Sequence, residues 1–521
     1  MPSQADDLPG NVDQLRAFAR ELQAENAQLR ALLKGVTQQA FGTRSERATV
    51  ILGDQGCLAL GDLPEVPSPV AANDDGIAGG GDVPARRSRC KRGLKALPAH
   101  LVRIEKLILP DSLDCACCGG ALHRIGEDAS EALEWVPAII RVLRTVRPRY
   151  GCRHCREGVV QAPAPRRAIP GSMVTTSTLA WIATARFAWS IPLNRQIQML
   201  AGQGVVLDRS TVSRWIGKLA WWLRPLHERL LAYIHQQSRI FCDETRMPVL
   251  EKGRRRVRIT QFWAHACDDG PWAGPAYPAV AYIHARGRGH DEARRQLADY
   301  CGTIQVDGYD AYKALVRKGP GKNRIRLAFC LAHARRKFVE AYRKSPSPAA
   351  EAIITLIARV YAIEARICGS SAEERLRVRQ EETKAIMTQI KAQIDTMIPQ
   401  LSRKSDLAKA MRYTLAHWLG LSRFLDDGCI EVDSNTVERG MRNIAQGRKS
   451  SLFAGSEGGA RAWAVLASLL QSARLNGLDP YTWLNDVLER IVTDEVRNNE
   501  LDCLLPWNWA PAAQQPMQRA A

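Results

Sequence analysis

The chain has 521 residues, which is too long for one ordinary hydrophobic core, so several domains are expected. Its 73 Lys and Arg residues outnumber its 54 Asp and Glu residues, and the resulting net charge of +19 favours nucleic acid as a partner over a basic protein without a polyanionic ligand. The sequence argues against a membrane protein, because no apolar run approaches the ~20 residues of a spanning helix, and against a secreted one, because it opens without a signal peptide. We therefore expect a cytoplasmic protein whose 14 cysteines are reduced thiols, some of them bound to a metal.

Residues 8–46 predict a helix that dimerises as a coiled coil. Over 11–36 the apolar residues repeat every seven positions, and Asn26 would place a buried amide in the seam, which favours a parallel pair of helices. The alternative is a short helix folded back onto its own chain, since fewer than four heptads are marginally stable alone.

Residues 47–100 are interpreted as a linker followed by a basic arm. The stretch 51–85 is rich in Gly, Pro and Asp and has no Lys or Arg, which is typical of a flexible acidic linker. Six basic residues then fall within 86–95, either as an arm that contacts phosphates or as a solvated tail.

Residues 101–165 predict a zinc-binding domain. Two C-x-x-C pairs supply four candidate ligands for one structural Zn²⁺, and the strand character between them suits a zinc ribbon; the ligands are Cys115, Cys118, Cys152 and Cys155. Cys117 would be a spare thiol, and His123 or His154 could replace one of the four cysteines as a zinc ligand.

Residues 166–236 predict a helical DNA-binding region with a helix–turn–helix pattern. A helix from Leu193 is followed by Gly202-Gln-Gly204 and by a second helix that Asp208 or Ser210 would cap. The residues expected to face DNA are Arg209, Ser213 and Arg214. A helical hairpin that only packs against the rest of the protein would produce the same pattern.

Residues 237–456 predict a catalytic domain that contains three separate carboxylates. The predicted order is β-β-β-α-β-α-β, with strands at 238–242, 256–266, 278–285, 303–306 and 325–331 and a helix at 290–300. This order suits a mixed, RNase H-like sheet in which Asp243 and Asp307 end neighbouring central strands. A helical insertion over 338–425 separates them from Glu438, one turn into a helix. Three such carboxylates can hold two Mg²⁺ (or Mn²⁺) ions at a phosphodiester.

The last part of the chain, residues 457–521, is predicted to be helical, so the whole is a multidomain α+β protein. Its motifs resemble, over essentially the full length, the DDE transposases of the sixty-six family of bacterial insertion sequences, the large TnpC-type protein. The matching motifs include Phe41-Gly-Thr-Arg-Ser45-Glu46, Cys242-Asp243-Glu244-Thr245, Asp307-Gly308-Tyr309, Cys330-x-x-His333 and Val437-Glu438-Arg439. The chain departs from the common family pattern at Ala116, Arg246, Leu331 and Ser450, none of which removes a carboxylate or a cysteine ligand.

The resemblance implies a bacterial, nucleoid-associated enzyme that acts on double-stranded DNA, both the element ends and the target. Asp243 and Asp307 would hold two metal ions with Glu438, and a freed 3′-hydroxyl would attack target DNA without ATP. His333 is either a phosphate contact or a packed histidine, and the neighbouring Glu244, Asp310 and Glu457 are expected to matter far less. Phosphate contacts are assigned to basic residues near the site, Arg336, Lys337, Arg439, Arg442, Arg448 and Lys449.

The expected partners besides DNA are a second copy of the chain, as at least a dimer, and helper proteins of the same element. Two other functions fit parts of the sequence. An RNase H-like nuclease or resolvase would share the metal chemistry, and a non-catalytic DNA-binding regulator would use only the coiled coil, zinc and helix–turn–helix parts.

Overall fold

The computed structural model describes residues 97, 101–114, 120–136, 139–151, 159–251, 256–318 and 324–511. The predicted coiled coil, nearly all of the linker and basic arm, and the four predicted zinc ligands lie outside these ranges. None of the helices described is both long and apolar enough to cross a membrane.

The first sheet contains four strands, β1 (Arg103–Leu107), β2 (His123–Val136), β3 (Ile139–Gly151) and β4 (Val159–Gln161). The long β2–β3 hairpin is antiparallel, with β1 parallel and β4 antiparallel to β3. Apolar side chains such as Leu133 and Val142 are buried on one face. The strand character predicted between the two cysteine pairs is therefore confirmed.

Three helices follow, α1 (Thr176–Phe187), α2 (Leu193–Ala201) and α3 (Arg209–His235). The two predicted helices and their turn are present, but α3 has 27 residues because its apolar stripe continues as far as Ile234. Asp208 occupies the N-cap position without the capping side-chain hydrogen bond that we expected.

The second sheet carries the predicted carboxylates. Its strands are β5 (Arg239–Leu250), β6 (Val257–Cys267), β7 (Ala279–Ala285), β8 (Gly302–Val306) and β9 (Ile325–Phe329), in the spatial order β7-β6-β5-β8-β9. Strand β6 is antiparallel to both of its neighbours, β5 and β7, and β8 and β9 run parallel to β5. All five strands lie where the sequence predicted them, within a few residues except at the end of β5.

One detail of that prediction is wrong. Asp243 does not end a strand, because β6 continues to pair with β5 as far as Leu250 after the pairing with β8 has stopped at Phe241. Asp307 does follow its strand directly, since β8 ends at Val306.

Helices flank and interrupt this sheet. Two lie between its strands, α4 (His290–Leu297) and α5 (Asp310–Lys318). After β9 come α6 (Leu331–Lys344), α7 (Pro348–Arg366), α8 (Ala372–Val378), α9 (Lys384–Met397), α10 (Asp406–Ala416) and α11 (Trp418–Leu421). These six form a second hydrophobic core, which includes Phe338, Ile353 and Ile390.

Three more helices complete the fold, α12 (Asn435–Ser451), α13 (Glu457–Leu475) and α14 (Pro480–Val492). Helix α13 is buried across β7, where the Ser468 and Ser472 hydroxyls accept hydrogen bonds from the backbone N–H groups of Tyr282 (2.7 Å) and Val280 (3.0 Å). Helix α12, which bears Glu438, is attached to the same strand, because the Tyr282 hydroxyl donates to the carbonyl oxygen of Gly440 at 2.7 Å.

Candidate active site

The backbone fixes the first two predicted carboxylates. The Glu244 N–H donates to Oδ1 of Asp243 at 2.8 Å, and the Tyr309 N–H donates to Oδ1 of Asp307 at 2.9 Å. Each carboxylate therefore keeps its second oxygen available for another ligand, in an orientation that the strand or turn determines.

The turn after β8 brings the helical segment against Asp307. Gly308 has a φ of +96°, and a Cβ at this position would lie 3.0 Å from Nε2 of His417 and 3.2 Å from the Tyr413 hydroxyl. That hydroxyl donates to the carbonyl oxygen of Asp307 at 2.7 Å. A glycine is required here both for the left-handed backbone and for the close approach of α10.

The third carboxylate is positioned by a side-chain amide on β8. Gln305 accepts from the N–H of Glu431 and donates to its carbonyl oxygen, both at 2.9 Å. The Leu331 N–H donates to the carbonyl oxygen of Val432 at 3.0 Å. These bonds return the chain to the sheet just before α12, so that Glu438 lies in the first turn of that helix.

The electrostatics indicate that the carboxylates lie close together. Burial raises the pKa of Asp243 well above its usual range, and the negative charges of Glu244, Asp307 and Glu438 raise that pKa further. The charged form of this buried carboxyl is destabilised by three other carboxylates, which is typical of a functional site. A bound cation would relieve the repulsion.

Glu244 belongs to this site, which sequence reasoning missed. Its side chain is only 2% exposed and contacts Arg288, whose Nη2 lies 2.7 Å from Oε1, and the Tyr312 hydroxyl, which donates to Oε2 at 3.1 Å. Burial and then the charge of Asp307 raise the pKa of Glu244 to about 7. Glu244, which we expected to matter far less than the three carboxylates, is therefore buried among them, whereas Asp310 is 77% exposed and pairs with Lys313. In the sequence, the position of Tyr312 five residues after Asp307 was the one sign that Glu244 would have a partner in the site.

His333 lies against the third carboxylate. Its Nδ1 is 3.7 Å from Oε1 of Glu438, and burial lowers the pKa of its imidazole while the Glu438 charge opposes that shift. Oε1 of Glu438 also accepts a hydrogen bond from the Ser434 hydroxyl at 3.3 Å. The imidazole is thus half-buried beside a candidate metal ligand.

The predicted DNA contacts fall into two groups. Near the carboxylates, Arg336 and Lys337 on α6 are exposed, and so are three residues on α12, Arg439, Arg442 and Lys449. Arg448 differs, because it is half-buried and donates to the Thr245 hydroxyl at 3.3 Å and to the carbonyl oxygen of Arg246. Arg448 therefore fixes α12 to β5. The prediction that Arg448 binds a DNA phosphate did not include these bonds within the protein.

The second group is at the start of α3, where Arg209, Ser213 and Arg214 are all exposed. Burial and then the charge of Arg209 lower the pKa of nearby Arg186 to about 10. Arg186 also donates to the Ser451 hydroxyl at the end of α12. The start of α3 therefore lies near the end of α12.

Family models match almost the whole described chain. Residues 171–462 match the model described as Transposase IS66 family, and residues 468–507 match the IS66 C-terminal element. Residues 112–156 match the zinc-finger binding domain of transposase IS66, which indicates structural zinc, and residues 28–105 match a model described as Transposase C of IS166 homeodomain.

Curated relatives from Sinorhizobium fredii (strain NBRC 101917 / NGR234) are similar over nearly the whole chain. One described as uncharacterized protein y4jD is 52% identical over 504 residues, which is 96% of this chain and 97% of that protein. Another, y4qI, is 39% identical over 96% of this chain and 92% of its own length. A third, y4hP, is 33% identical over 94% and 90%, respectively.

Proposed function

Because the chain belongs to the IS66 family of transposases, whose model spans residues 171–462, we propose that it is a DDE-type polynucleotidyl transferase. It would bind the ends of an insertion sequence, cleave the DNA there and join the freed ends to target DNA. The observation that best supports this chemistry is the grouping of Asp307 and Glu438 around Asp243, close enough for both charges to raise its pKa.

The carboxylates suit divalent cations with hard oxygen ligands. Buried carboxylates repel one another unless a cation lies between them, and Mg²⁺ and Mn²⁺ take mainly oxygen ligands. We assign Asp243 and Asp307 as ligands to two such ions and Glu438 as a ligand to the second. When bound, the ions supply Lewis-acid activation of the attacking and leaving oxygens of a phosphodiester.

The chain's own groups orient these ligands and balance the charge of the DNA. The N–H groups of Glu244 and Tyr309 hold one oxygen of each aspartate, which fixes the direction of the other. Arg336, Lys337 and Arg439 lie on the helices that carry His333 and Glu438, where phosphates of a bound strand would be neutralised.

The strand order supports an RNase H-like catalytic domain. The sheet is mixed, with β5 and β8 as neighbours near its centre, and the sequence predicted a mixed sheet with Asp243 and Asp307 on neighbouring central strands. We assign residues 237–456 to this domain, with residues 338–425 as a helical insertion, and residues 457–521 to a C-terminal helical region. Residues 166–236 would form the helical DNA-binding region, with Arg209, Ser213 and Arg214 as its contacts.

The N-terminal parts would bind zinc and hold the assembly together. We assign residues 8–46 to a dimerising coiled coil, 47–100 to the linker and basic arm, and 101–165 to the zinc domain. Cys115, Cys118, Cys152 and Cys155 are the proposed zinc ligands. The proposed partners are double-stranded DNA, at least one more copy of the chain, and helper proteins of the same element.

The test is a strand-transfer assay with Mg²⁺ on labelled element ends and a target plasmid. Asp243→Asn, Asp307→Asn and Glu438→Gln should each abolish cleavage and joining while end-DNA binding persists, because losing a metal ligand raises the barrier by several kcal/mol, on the order of 3 or more. Asp310→Asn is the matched control and should retain activity. Strand transfer by any of the three variants would show that this carboxylate has been assigned wrongly.

The same assay separates the alternative functions. Nicked ends without joined product would indicate a nuclease or resolvase, and end binding without any cleavage by the wild-type protein would indicate a regulator. Glu244→Gln should lower the cleavage rate more than Asp310→Asn does, because Glu244 contacts Arg288 and Tyr312 inside the site.

A further inference from the structure

Three side chains with different donor atoms meet where two helices begin. Cys330 is the N-cap residue of α6, His333 lies in the first turn of α6, and Glu438 lies in the first turn of α12. A sulfur, a ring nitrogen and a carboxylate oxygen from these residues all lie within 4.8 Å of one another. Within the ranges that the structure describes, no other cluster of three such residues has this spacing.

The polar groups of the cluster are incompletely satisfied. Nδ1 of His333 is shielded from solvent and has no hydrogen-bond partner, because Oε1 of Glu438 at 3.7 Å is beyond hydrogen-bonding distance. A shielded nitrogen without a partner is unfavourable, so a ligand at this point would stabilise the protein.

One serine orients two of the three donors. The Ser434 N–H donates to Sγ of Cys330 at 3.3 Å, and the Ser434 hydroxyl donates to Oε1 of Glu438 at 3.3 Å. Outer hydrogen bonds of this kind hold metal ligands in place and favour the deprotonated forms that bind metal.

We propose that Cys330, His333 and Glu438 form a binding site for Zn²⁺ or a similar borderline-soft divalent ion, distinct from the oxygen-ligand site for Mg²⁺. Thiolate and imidazole are ligands that Zn²⁺ takes and Mg²⁺ does not. Bond lengths of 2.0–2.3 Å in tetrahedral geometry put the donors roughly 3.5 Å apart, so side-chain movements of about 1 Å would close the site. Solvent takes the thiol proton, and a water molecule completes the coordination.

The site shares Glu438 with the proposed catalytic centre. An ion bound to the thiolate and the imidazole would use the Glu438 carboxylate and withdraw it from Mg²⁺. Zinc would therefore inhibit Mg²⁺-dependent cleavage, a consequence that rests on the proposed function, whereas binding of the ion itself does not.

Cobalt titration of the full-length protein, purified with its zinc in place, tests the site directly. Co²⁺ bound to a thiolate absorbs in the near ultraviolet, and the wild-type protein should gain about one such equivalent per chain that Cys330→Ser and His333→Gln lack. Cys267→Ser, which removes another buried thiol, should bind cobalt like the wild type. Should Cys330→Ser not fold, the half-buried His333→Gln variant decides. Equal cobalt absorption in wild type and His333→Gln would overturn the proposal.

A zinc-inhibition assay tests the consequence. With each variant's activity expressed relative to its own rate without added zinc, the zinc concentration that halves cleavage should rise at least tenfold in His333→Gln. An unchanged concentration would refute the link to catalysis and leave the cobalt result intact. A wild-type protein without Mg²⁺-dependent cleavage would refute the proposed function, and the cobalt result would again stand by itself.

Discussion

Replacing Gln305 with Leu should disconnect the third carboxylate from the sheet without touching any proposed metal ligand. The Gln305 side chain is 1% exposed, and its amide makes two 2.9 Å hydrogen bonds to the backbone of Glu431, which lies seven residues before Glu438. Leucine has a similar volume but can neither donate nor accept. The substitution therefore leaves one N–H and one C=O group in the partly buried segment before α12 without these partners.

The cost follows from those two groups. Each buried polar group left unpaired costs about 1–3 kcal/mol, so the free energy of unfolding should fall by roughly 2–6 kcal/mol. The Arg239 guanidinium also loses a contact, since its Nη1 lies 3.3 Å from Oε1 of Gln305. Because the start of α12 is no longer held against β8, the cleavage rate should fall at least tenfold even where the variant remains folded.

Denaturant unfolding and end-cleavage kinetics on the same preparations measure both effects. Gln400→Leu is the control, because its amide also bonds to a backbone carbonyl, that of Thr396 at 3.2 Å, but at an exposed site. If Gln305→Leu unfolds at the wild-type denaturant concentration and cleaves at the wild-type rate, then the amide does not position Glu438 and the reasoning fails.

Three further predictions concern other parts of the chain. Burial lowers the pKa of His227 from 6.5 to about 4, and its Nε2 lies 3.1 Å from the carbonyl oxygen of Tyr282. The unfolded chain therefore binds the proton more tightly than the folded protein does. The free energy of unfolding should fall as the pH falls below 6.5, by about 2 kcal/mol between pH 7 and pH 5. His227→Gln should flatten that part of the unfolding profile, and an unchanged profile would contradict the assignment. The purified protein should carry about one structural zinc per chain at the predicted cysteine ligands, measured by mass spectrometry as the zinc that is lost when Cys118→Ser and Cys155→Ser are combined. Leu22→Pro should break the predicted coiled coil and reduce the mass measured by light scattering, which would stay constant if 8–46 made no contact between copies.

The strands of the second sheet were predictable because each contains an apolar run bounded by turn residues. The runs before Asp243 and Asp307 carry β-branched or aromatic side chains, and both strands are buried as expected. Helix α13 was predictable for the same kind of reason, since its apolar residues continue to the Asn476-Gly477 break. Where a local pattern decides the structure, the sequence contained enough information.

The end of β5 and the location of Glu244 were not predictable, because both depend on distant partners. Strand β5 continues past Asp243 only because β6 pairs with it, and periodicity within 239–250 does not reveal that pairing. Glu244 is drawn into the site by Arg288, which is 44 residues away in sequence. The same limitation applies to Arg448, whose contact with Thr245 joins residues 203 positions apart.

The helical segment between the second and third carboxylates can be understood from these distant contacts. Within it, the guanidinium of fully buried Arg379 makes bonds of 2.9 and 2.7 Å to the two carboxylate oxygens of Glu364. Arg375 is also buried, and its Nη1 lies 2.8 Å from Oε1 of Glu431, the residue whose backbone Gln305 holds. A chain of bonds thus runs from the second core through Glu431 to β8 and to the start of α12. Because breaking one partner of a buried ion pair costs about 3–5 kcal/mol, these bonds restrain the start of α12 against β8, and the proposed metal site at Asp307 and Glu438 requires such a restraint.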